Sequence, residues 1–492
     1  MSLKTLPEFW FEPHPWIDGR WRPGGEVVAV HNPATGGTIA AATRADATAV
    51  AQAIEGAVKA QRDWRAVPAA ERGMVLKRTA ALLLARKDEF ARLLTAEQGK
   101  PYAQAAGEVD YAASFFQWFG EEARRVYGRI APHPEAGREF LIEERPAGVA
   151  GLVTPWNFPL AQGAKKVAAA LAAGCSCVWK PAELTPLIAL ATAPLLREAG
   201  LPDGVLQIVP GRGSAIGKVL AEHPAVRVLS LTGSTATGSA LMTAAAAGIK
   251  RLSLELGGNA PFIVLPDADL DLVAEHLTRL KLFVSGQVCV TANRVFVHAD
   301  AEAALAERLA AGIGAARLGN GLADGIEAGP LIHRQACADV RSLVEQATSA
   351  GAKIVCENRS YDADASLREG SFSPPTVLVG VRDDMRVARE EIFGPVVPLL
   401  RYTSVADAVR RANETPYGLA AYVYGTDLAR CRAVAAAVEA GIVGVNEWRP
   451  LKAEIPFGGM KQSGIGAEGG QEGIREFLEV QVISIPRPVI TS

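Results

Sequence analysis

The chain has 492 residues, 49% hydrophobic and 21% charged, with 51 Lys and Arg against 53 Asp and Glu for a formal charge of −2. That is the profile of a globular protein with ample chain for a large core, and the charge balance speaks against nucleic acid or an anionic membrane as partner. Six cysteines in so long a chain make no disulfide framework, so a reducing, cytoplasmic setting is expected.

The first residues, "MSLKTLPEFWFEPHPW", have no apolar signal core. Next, "AVAQAIEGAVKAQRDW" and "AERGMVLKRTAALLLARKDEFARLL" carry apolar residues at helical spacing, Leu76, Ala80, Leu83 and Leu84 among them. They predict an N-terminal helical pair, with Pro68 early in the second helix. From about Ala147 the pattern changes. "AGVAGLVTP", "CSCVWKP", "GVLQIVPG", "VRVLSLTGS" and "KRLSLELGG" are short apolar runs ended by Gly or Pro, with helical segments between them. Strands buried on both faces and alternating with helices predict a parallel, doubly wound sheet. After Gly258 the rhythm restarts with "APFIVL", "RVFVH", "AKIVC", "VVPLLRY", "GLAAYVYG" and "GIVGVN". The fold class is therefore α/β, with two doubly wound domains. The longest apolar run, Val167 to Trp179, is too short for a bilayer, which takes about 20 residues. Two segments fit neither sheet: "YGRIAPHPEAGREFLIEERP", and "FLEVQVISI", which alternates like an exposed strand and invites pairing.

Ligands of such sheets bind beyond the carboxyl ends of the strands, here "TPWNFP", "KPAELTP", "PGRGSAIG", "LTGSTATG" and "LELGG". "GRGSAIG" reads more simply as a turn. The amides of "GSTATG" could hold a pyrophosphate at a helix start, although alone it too reads as a turn. Lys180 and Glu183 in "WKPAE" are either a solvated loop or a ribose site whose carboxylate accepts from a diol. No serine-hydrolase, P-loop or zinc-protease motif is present, and Cys175 and Cys177 form a C-x-C that is no recognised metal or redox spacing, so no metal is expected.

Cys289, in "SGQVCVTANR", could be core filler, a disulfide half or a nucleophile. A lone cysteine is more often filler. Three neighbours in the pattern shift the balance. Gly286 permits close backbone approach. Glu255 is a carboxylate at the end of a buried strand, costly without a partner or a task. Asn157 is an amide donor at another strand exit. A thiol, a carboxylate base and an amide donor together make an acyl-transfer site.

With "PWNFPL", "KPAELTP", "LTGSTATG", "LELGGNAPFIV", "GQVC", "EEIFGPV" and "PFGGMKQSGIG" in this order, the chain resembles the aldehyde dehydrogenase superfamily over nearly its whole length. The resemblance implies oxidation of an aldehyde to a carboxylic acid through a cysteine thiohemiacetal and thioester. Cys289 would be the nucleophile, Asn157 with the Cys289 amide the oxyanion hole, and Glu255 the general base, while Lys166 and Glu468 match positions near the family's proton path. It implies NAD as cofactor, with Lys180 and Glu183 on the adenosine ribose, Ser234 at the pyrophosphate and Glu391 with Phe393 at the nicotinamide ribose. Thr154, Pro155, Trp156, Gly213, Gly233 and Gly257 would line the same site. It also implies an NAD-binding domain at 1–123 and 147–257, a catalytic domain at 258–462, and an oligomerisation arm at 124–146 and 463–492 of a homodimer or homotetramer.

A coenzyme A-acylating relative typically lacks the glutamate that Glu255 supplies, so water is the favoured acceptor; a non-enzymatic use of the fold would not need all three catalytic groups. The chain looks closest to the succinate-semialdehyde branch but departs from it where that branch holds the substrate carboxylate. Lys165 and Phe283 replace its arginines, and Thr291 replaces its second cysteine, which removes a redox switch at that position. The resemblance implies that "NEWRPLKAEIPFGG" borders the aldehyde entrance, where it would contribute Trp448, Arg449 and Lys452. Lys165, Arg449 and Lys452 predict a funnel of three cations, with Phe158 and Phe283 as apolar walls. They suit a short aldehyde with a distal acidic group; a neutral aliphatic or aromatic aldehyde is the alternative, with the cations merely paired to Glu447 or Glu454.

Overall fold

The computed structural model describes residues 5–487; residues 1–4 and 488–492, the ends of the first and last expected segments, lie outside it. Five parallel strands, Val149–Val153 (β1), Cys177–Lys180 (β2), Leu206–Ile208 (β3), Val226–Thr232 (β4) and Arg251–Glu255 (β5), lie in the order β3-β2-β1-β4-β5. Each joins its successor through helix, and every residue of β2 is buried. The order reverses between β1 and β4, which opens a crevice at their carboxyl ends. Short strands at Trp16–Ile17, Arg20–Trp21 and Gly464–Ile465 extend the sheet at its two edges.

The second sheet follows at once. Ala260–Val264 (β6), Ala292–His298 (β7), Lys353–Glu357 (β8), Thr376–Val379 (β9), Val396–Tyr402 (β10), Ala420–Tyr424 (β11) and Ile442–Val445 (β12) run in the order β8-β9-β10-β7-β6-β11-β12. All neighbours are parallel except β8 and β9. "AKIVC" therefore departs from the expected buried parallel strand: it is the antiparallel edge, and Ile354 and Val355 are exposed. Its inner neighbour β9, only four residues long, was not read from the sequence.

The N-terminal helical pair is in fact four helices, Ala47–Trp64, Ala69–Ala85, Lys87–Gln98 and Tyr102–Glu122. Arg86, at φ −104° and ψ 21°, breaks the second segment in two, and Pro68 stands just ahead of it as N-cap. Tyr102–Glu122 went unread because apolar residues surround it; it buries Val109, Phe115, Phe116 and Phe119 against Ala69–Ala85 and the helix after β1.

The two unassigned segments pair with each other. Arg138–Pro146 lies antiparallel to Leu478–Pro486, Leu478 opposite Pro146 and Pro486 opposite Arg138, and Arg129–Pro132 completes three strands. This small sheet leaves Ile130, Val480 and Val482 exposed. Among the described residues no helix is long and apolar enough to cross a membrane.

Candidate active site

The loop leaving β1 is fixed from beneath. Helix α1, Pro159–Ala173, begins at its end, and the buried Glu108 accepts from the Leu160 and Ala161 N–H groups at 3.0 and 3.1 Å, where a helix start favours a carboxylate. Lys100 pairs with the other Glu108 oxygen and donates to the Asn157 carbonyl at 2.7 Å. Burying such a pair is costly unless its remaining valences are hydrogen-bonded, as they are here. The Asn157 side chain in turn accepts from the Phe158 N–H at 3.1 Å and donates to the Gln287 carbonyl at 3.0 Å. A primary amide has a second N–H to offer.

The Cys289 loop is held in a strained shape. Val284 and Ser285 sit at φ 49° and 54°, in the left-handed region that side chains disfavour. Gly286 follows at φ 72°, and a Cβ there would fall 2.3 Å from the Gly394 carbonyl. The surroundings enforce this turn. Gln104 accepts from the Val284 N–H at 2.8 Å, and the Ser285 hydroxyl donates to the Gly329 carbonyl at 2.7 Å. The Gln287 side chain donates back to the Val284 carbonyl at 3.0 Å and accepts from the Ile332 N–H at 2.8 Å.

Cys289 is half-buried where two cavities meet. The larger, about 910 Å³, lies beyond the carboxyl ends of the first sheet. Thr154, Pro155, Trp156, Lys180, Glu183, Gly213, Gly233, Ser234, Gly257, Glu391 and Phe393 all line it, with Asn157. The smaller, about 60 Å³, is lined by Phe158, Lys165, Phe283, Trp448 and Arg449. Sequence reasoning missed Tyr111, Gln162, Tyr422 and Phe457 in the smaller cavity and Ser214, Leu256 and His333 in the larger. Lys100, Glu108 and Gln287 were missed too, because the site groups they hold, Asn157 and the Leu160 N–H, lie 52 to 130 positions away along the chain. Burial, then the Glu391 charge, pushes the Cys289 thiol up to about 12.

Glu255 ends β5 opposite Thr232 of β4, buried, with neither carboxylate oxygen hydrogen-bonded. Burial and then the charge of Glu468 raise its pKa well above the ordinary carboxylate range. Glu468 is itself buried but is held below that range, because Lys165 and Lys166 outweigh its desolvation. Each lysine pairs with one Glu468 oxygen, and Lys166 also donates to the Ser230 hydroxyl at 3.0 Å. This corrects the three-cation funnel. Lys165 lines the small cavity, but its ammonium is paired with Glu468 and lies 4.2 Å over the Phe457 ring. Lys452 is exposed and lines neither cavity. Arg449 remains: it is exposed, stacks 5.1 Å over Phe283, and forms no ion pair among the described residues, with Glu447 or Glu454 or any other carboxylate.

At the far end of the large cavity, Glu183 accepts from the Gly213 N–H at 2.7 Å and pairs with Arg44 at 3.1 Å, a residue no motif singled out. Gly213 opens the helix Gly213–Glu222, so "GRGSAIG" is more than a turn. Ser234 caps helix α2, Thr235–Ala245, accepting from the Thr237 N–H at 3.2 Å. Near Cys289, Glu391 accepts from the Gly258 N–H at 3.2 Å, and burial raises its pKa to about 7. Phe393, at φ 49°, meets Trp156 edge to face at 5.5 Å.

This arrangement has known counterparts. The model of the aldehyde dehydrogenase family matches residues 21–483. A glutarate-semialdehyde dehydrogenase of Pseudomonas putida is 44% identical over 96% of this chain and 98% of its own. A succinate-semialdehyde dehydrogenase [NADP(+)] of Escherichia coli is 43% identical over 95% and 97%. Among solved structures, betaine aldehyde dehydrogenase from Staphylococcus aureus in complex with NAD+ superposes with a TM-score of 0.94 at 32% identity, covering 98% of this chain and 96% of that one.

Proposed function

This chain belongs to the aldehyde dehydrogenase family and is an NAD(P)-dependent aldehyde dehydrogenase, and we propose that Cys289 is its nucleophile and a short aldehyde with a distal acidic group its substrate. The observation that carries the substrate reading is Arg449, a guanidinium without a carboxylate partner among the described residues, at the rim of the small cavity that ends on Cys289. A guanidinium grips a carboxylate at two points. The names of the two relatives, both semialdehyde dehydrogenases, support the same class.

The large cavity fits a dinucleotide. Its volume is within the range of ligand pockets, its walls are largely apolar, and a carboxylate stands towards each end, Glu183 and Glu391. Lys180 and Glu183 would hold the adenosine ribose, the start of α2 at Ser234 the pyrophosphate, and Glu391 with Phe393 the nicotinamide ribose. NAD is the proposed preference, because a 2′-phosphate would approach the Glu183 carboxylate. When bound, the cofactor supplies a hydride acceptor and a positive ring.

The chain's own groups would act in sequence. Cys289 would lose its thiol proton to solvent water, and its sulfur would add to the aldehyde carbon as the C=O electron pair moves onto oxygen. The second Asn157 N–H and the Cys289 backbone N–H hold the oxyanion, a preorganised arrangement because Gln287 and Lys100 fix the amide. After oxidation to the thioester, Glu255 takes a proton from water, whose oxygen displaces the sulfur and releases the acid. The unpartnered, buried Glu255 oxygens are poorly solvated as an anion, and the raised pKa that follows makes the ionised carboxylate a strong base towards water. Glu468, held ionised by Lys165 and Lys166, places a like charge near Glu255 and so favours uptake of the proton from water.

By domain, β1 to β5 with the N-terminal helices would bind the cofactor, the second sheet would carry the catalytic loop, and the three-stranded sheet with exposed Ile130, Val480 and Val482 would serve assembly into a homodimer or homotetramer. The deciding experiment is a panel of aldehydes ranked by kcat/KM. Carboxylated and sulfonated short aldehydes should lead; a neutral aldehyde in first place would overturn the substrate reading.

A further inference from the structure

We infer that Arg44 sets how far this enzyme discriminates NAD from NADP, by neutralising Glu183 and standing ready beside it to bind a 2′-phosphate. The inference rests on the reading of the large cavity as the dinucleotide site with Glu183 at the adenosine ribose.

Arg44 lies 139 positions before Glu183, just after a hairpin of Val27–His31 and Thr38–Thr43. One backbone bond closes the base of that hairpin and a second docks it on the chain just past β3. The Arg44 N–H donates to the Glu26 carbonyl at 2.9 Å, and the Ala45 N–H to the Pro210 carbonyl, just past β3, at 2.7 Å. The guanidinium then bridges two acids. One nitrogen donates to Glu183 Oε2 at 3.1 Å and the other to Glu26 Oε1 at 2.9 Å. With Gly213 on Oε1, both oxygens of Glu183 are occupied.

The carboxylate is thus not bare. Around it stand Glu26, Arg44, Arg212, 3.6 Å from Glu26, and Lys180. Two acids face two guanidiniums and an ammonium, so the cluster is net positive while Lys180 is protonated. Burial lowers the Lys180 pKa to about 8, with Glu183 opposing and Arg44 adding to the shift. A 2′-phosphate approaching such a cluster meets less repulsion than at an isolated glutamate.

The exchange is also available. Arg44 and Glu183 keep 23% and 33% side-chain exposure, and an ion pair so open is held weakly. A phosphate, with more charge and three acceptor oxygens, competes well for a guanidinium. With NAD, Arg44 stays on Glu183 and steadies the acceptor. With NADP, it can turn to the phosphate. The sequence motif shows only Glu183 and reads as NAD preference; the partner that softens it comes from a hairpin the motif does not contain.

The test is cofactor affinity, measured by calorimetry on the full chain without substrate, for NAD, NADP and 2′,5′-ADP. Removing the guanidinium in Arg44→Ala should raise the ratio of Kd for NADP to Kd for NAD by about tenfold or more, and weaken 2′,5′-ADP relative to 5′-AMP in the same sense. Arg44→Lys, which keeps the charge, should recover part of the lost NADP affinity. Glu183→Gln should move the ratio the opposite way. A ratio unchanged or lowered in Arg44→Ala overturns the role of Arg44. Failure of the unaltered chain to bind either dinucleotide overturns instead the reading of the cavity on which it rests.

Discussion

The side-chain amide of Asn157 donates to the backbone carbonyl of Gln287, two residues before Cys289, across 3.0 Å. One bond thereby ties the loop leaving the first sheet to the loop that carries the thiol, and aims the remaining amide N–H before any oxyanion forms. Asn157→Ala should lower kcat/KM by about 10²–10³, the usual cost of one preorganised oxyanion donor. Asn157→Asp should be at least as poor, because a carboxylate faces the developing charge. Steady-state kinetics beside calorimetric NAD affinity separate chemistry from binding; a fall below about threefold in the alanine variant would remove Asn157 from the oxyanion hole.

The thiol itself has a pH signature. With its pKa pushed up to about 12 by burial and the charge of Glu391, Cys289 is a thiol in the free enzyme at neutral pH. The thiolate is the reactive form, so alkylation by iodoacetamide should be slow at pH 7 and climb steadily towards pH 10. Bound NAD brings positive charge and should accelerate it at fixed pH. Peptide mass spectrometry of the Cys289 peptide gives the rate, with Cys289→Ala as the blank and as a variant without dehydrogenase activity. Fast alkylation at pH 7 without cofactor would mean an activating group stands nearer than Lys165.

Glu255 should show in both kinetics and stability. With Glu255 as the proposed base, Glu255→Gln should still acylate but hydrolyse slowly, so rapid mixing should give a burst of NADH followed by slow turnover. Undiminished steady-state turnover would reassign the base. For stability the sign follows from the raised pKa. Between the ordinary glutamate value and the folded one, the folded state binds the extra proton, so stability is greatest below that window and is lost as pH rises through it. Glu255→Gln lacks that titration. Its melting temperature should therefore gain on the unaltered chain as pH rises from 5 to 9, and parallel curves would contradict the buried, unpartnered placement.

Much of this was legible because it is local. Strand runs ending in Gly or Pro locate β1 to β5, and the strand exits carry Asn157, Lys180, Glu183, Ser234 and Glu255 as expected from the doubly wound order. What the chain hides is long-range. Tyr102–Glu122 shows little periodicity because it is covered on several sides. The Lys100–Glu108 pair looks like ordinary surface charge until α1 closes over it. Lys165 reads as a free cation until Glu468, some 300 residues on, claims its ammonium. A charge count along the sequence cannot tell a paired cation from an available one, and that distinction is what narrows three candidate substrate cations to Arg449.

Arg449 therefore carries the substrate prediction. Its guanidinium stacks on Phe283, itself 5.6 Å from Phe158 and 6.0 Å from Trp448, so the apolar walls hold the cation at the rim rather than beside the sulfur. A charge placed there can meet only the far end of a short aldehyde whose carbonyl has reached Cys289. Binding made to that end is the same before and after the sulfur adds, and such uniform binding appears in KM rather than in kcat. Arg449→Ala should raise KM for a carboxylated semialdehyde about tenfold or more, the cost of losing a charge-assisted pair of about 1.5–3 kcal/mol, with kcat nearly kept. Propanal, which has no group to reach the rim, should respond by less than about twofold. Arg449→Lys should recover part of the loss, since it restores the charge but not the two-point grip. Raising the ionic strength should weaken the carboxylated substrate in the unaltered chain and have little effect in Arg449→Ala. Equal responses of the two aldehydes to the substitution would show that Arg449 only packs against Phe283 and would leave the acidic-aldehyde assignment without its anchor.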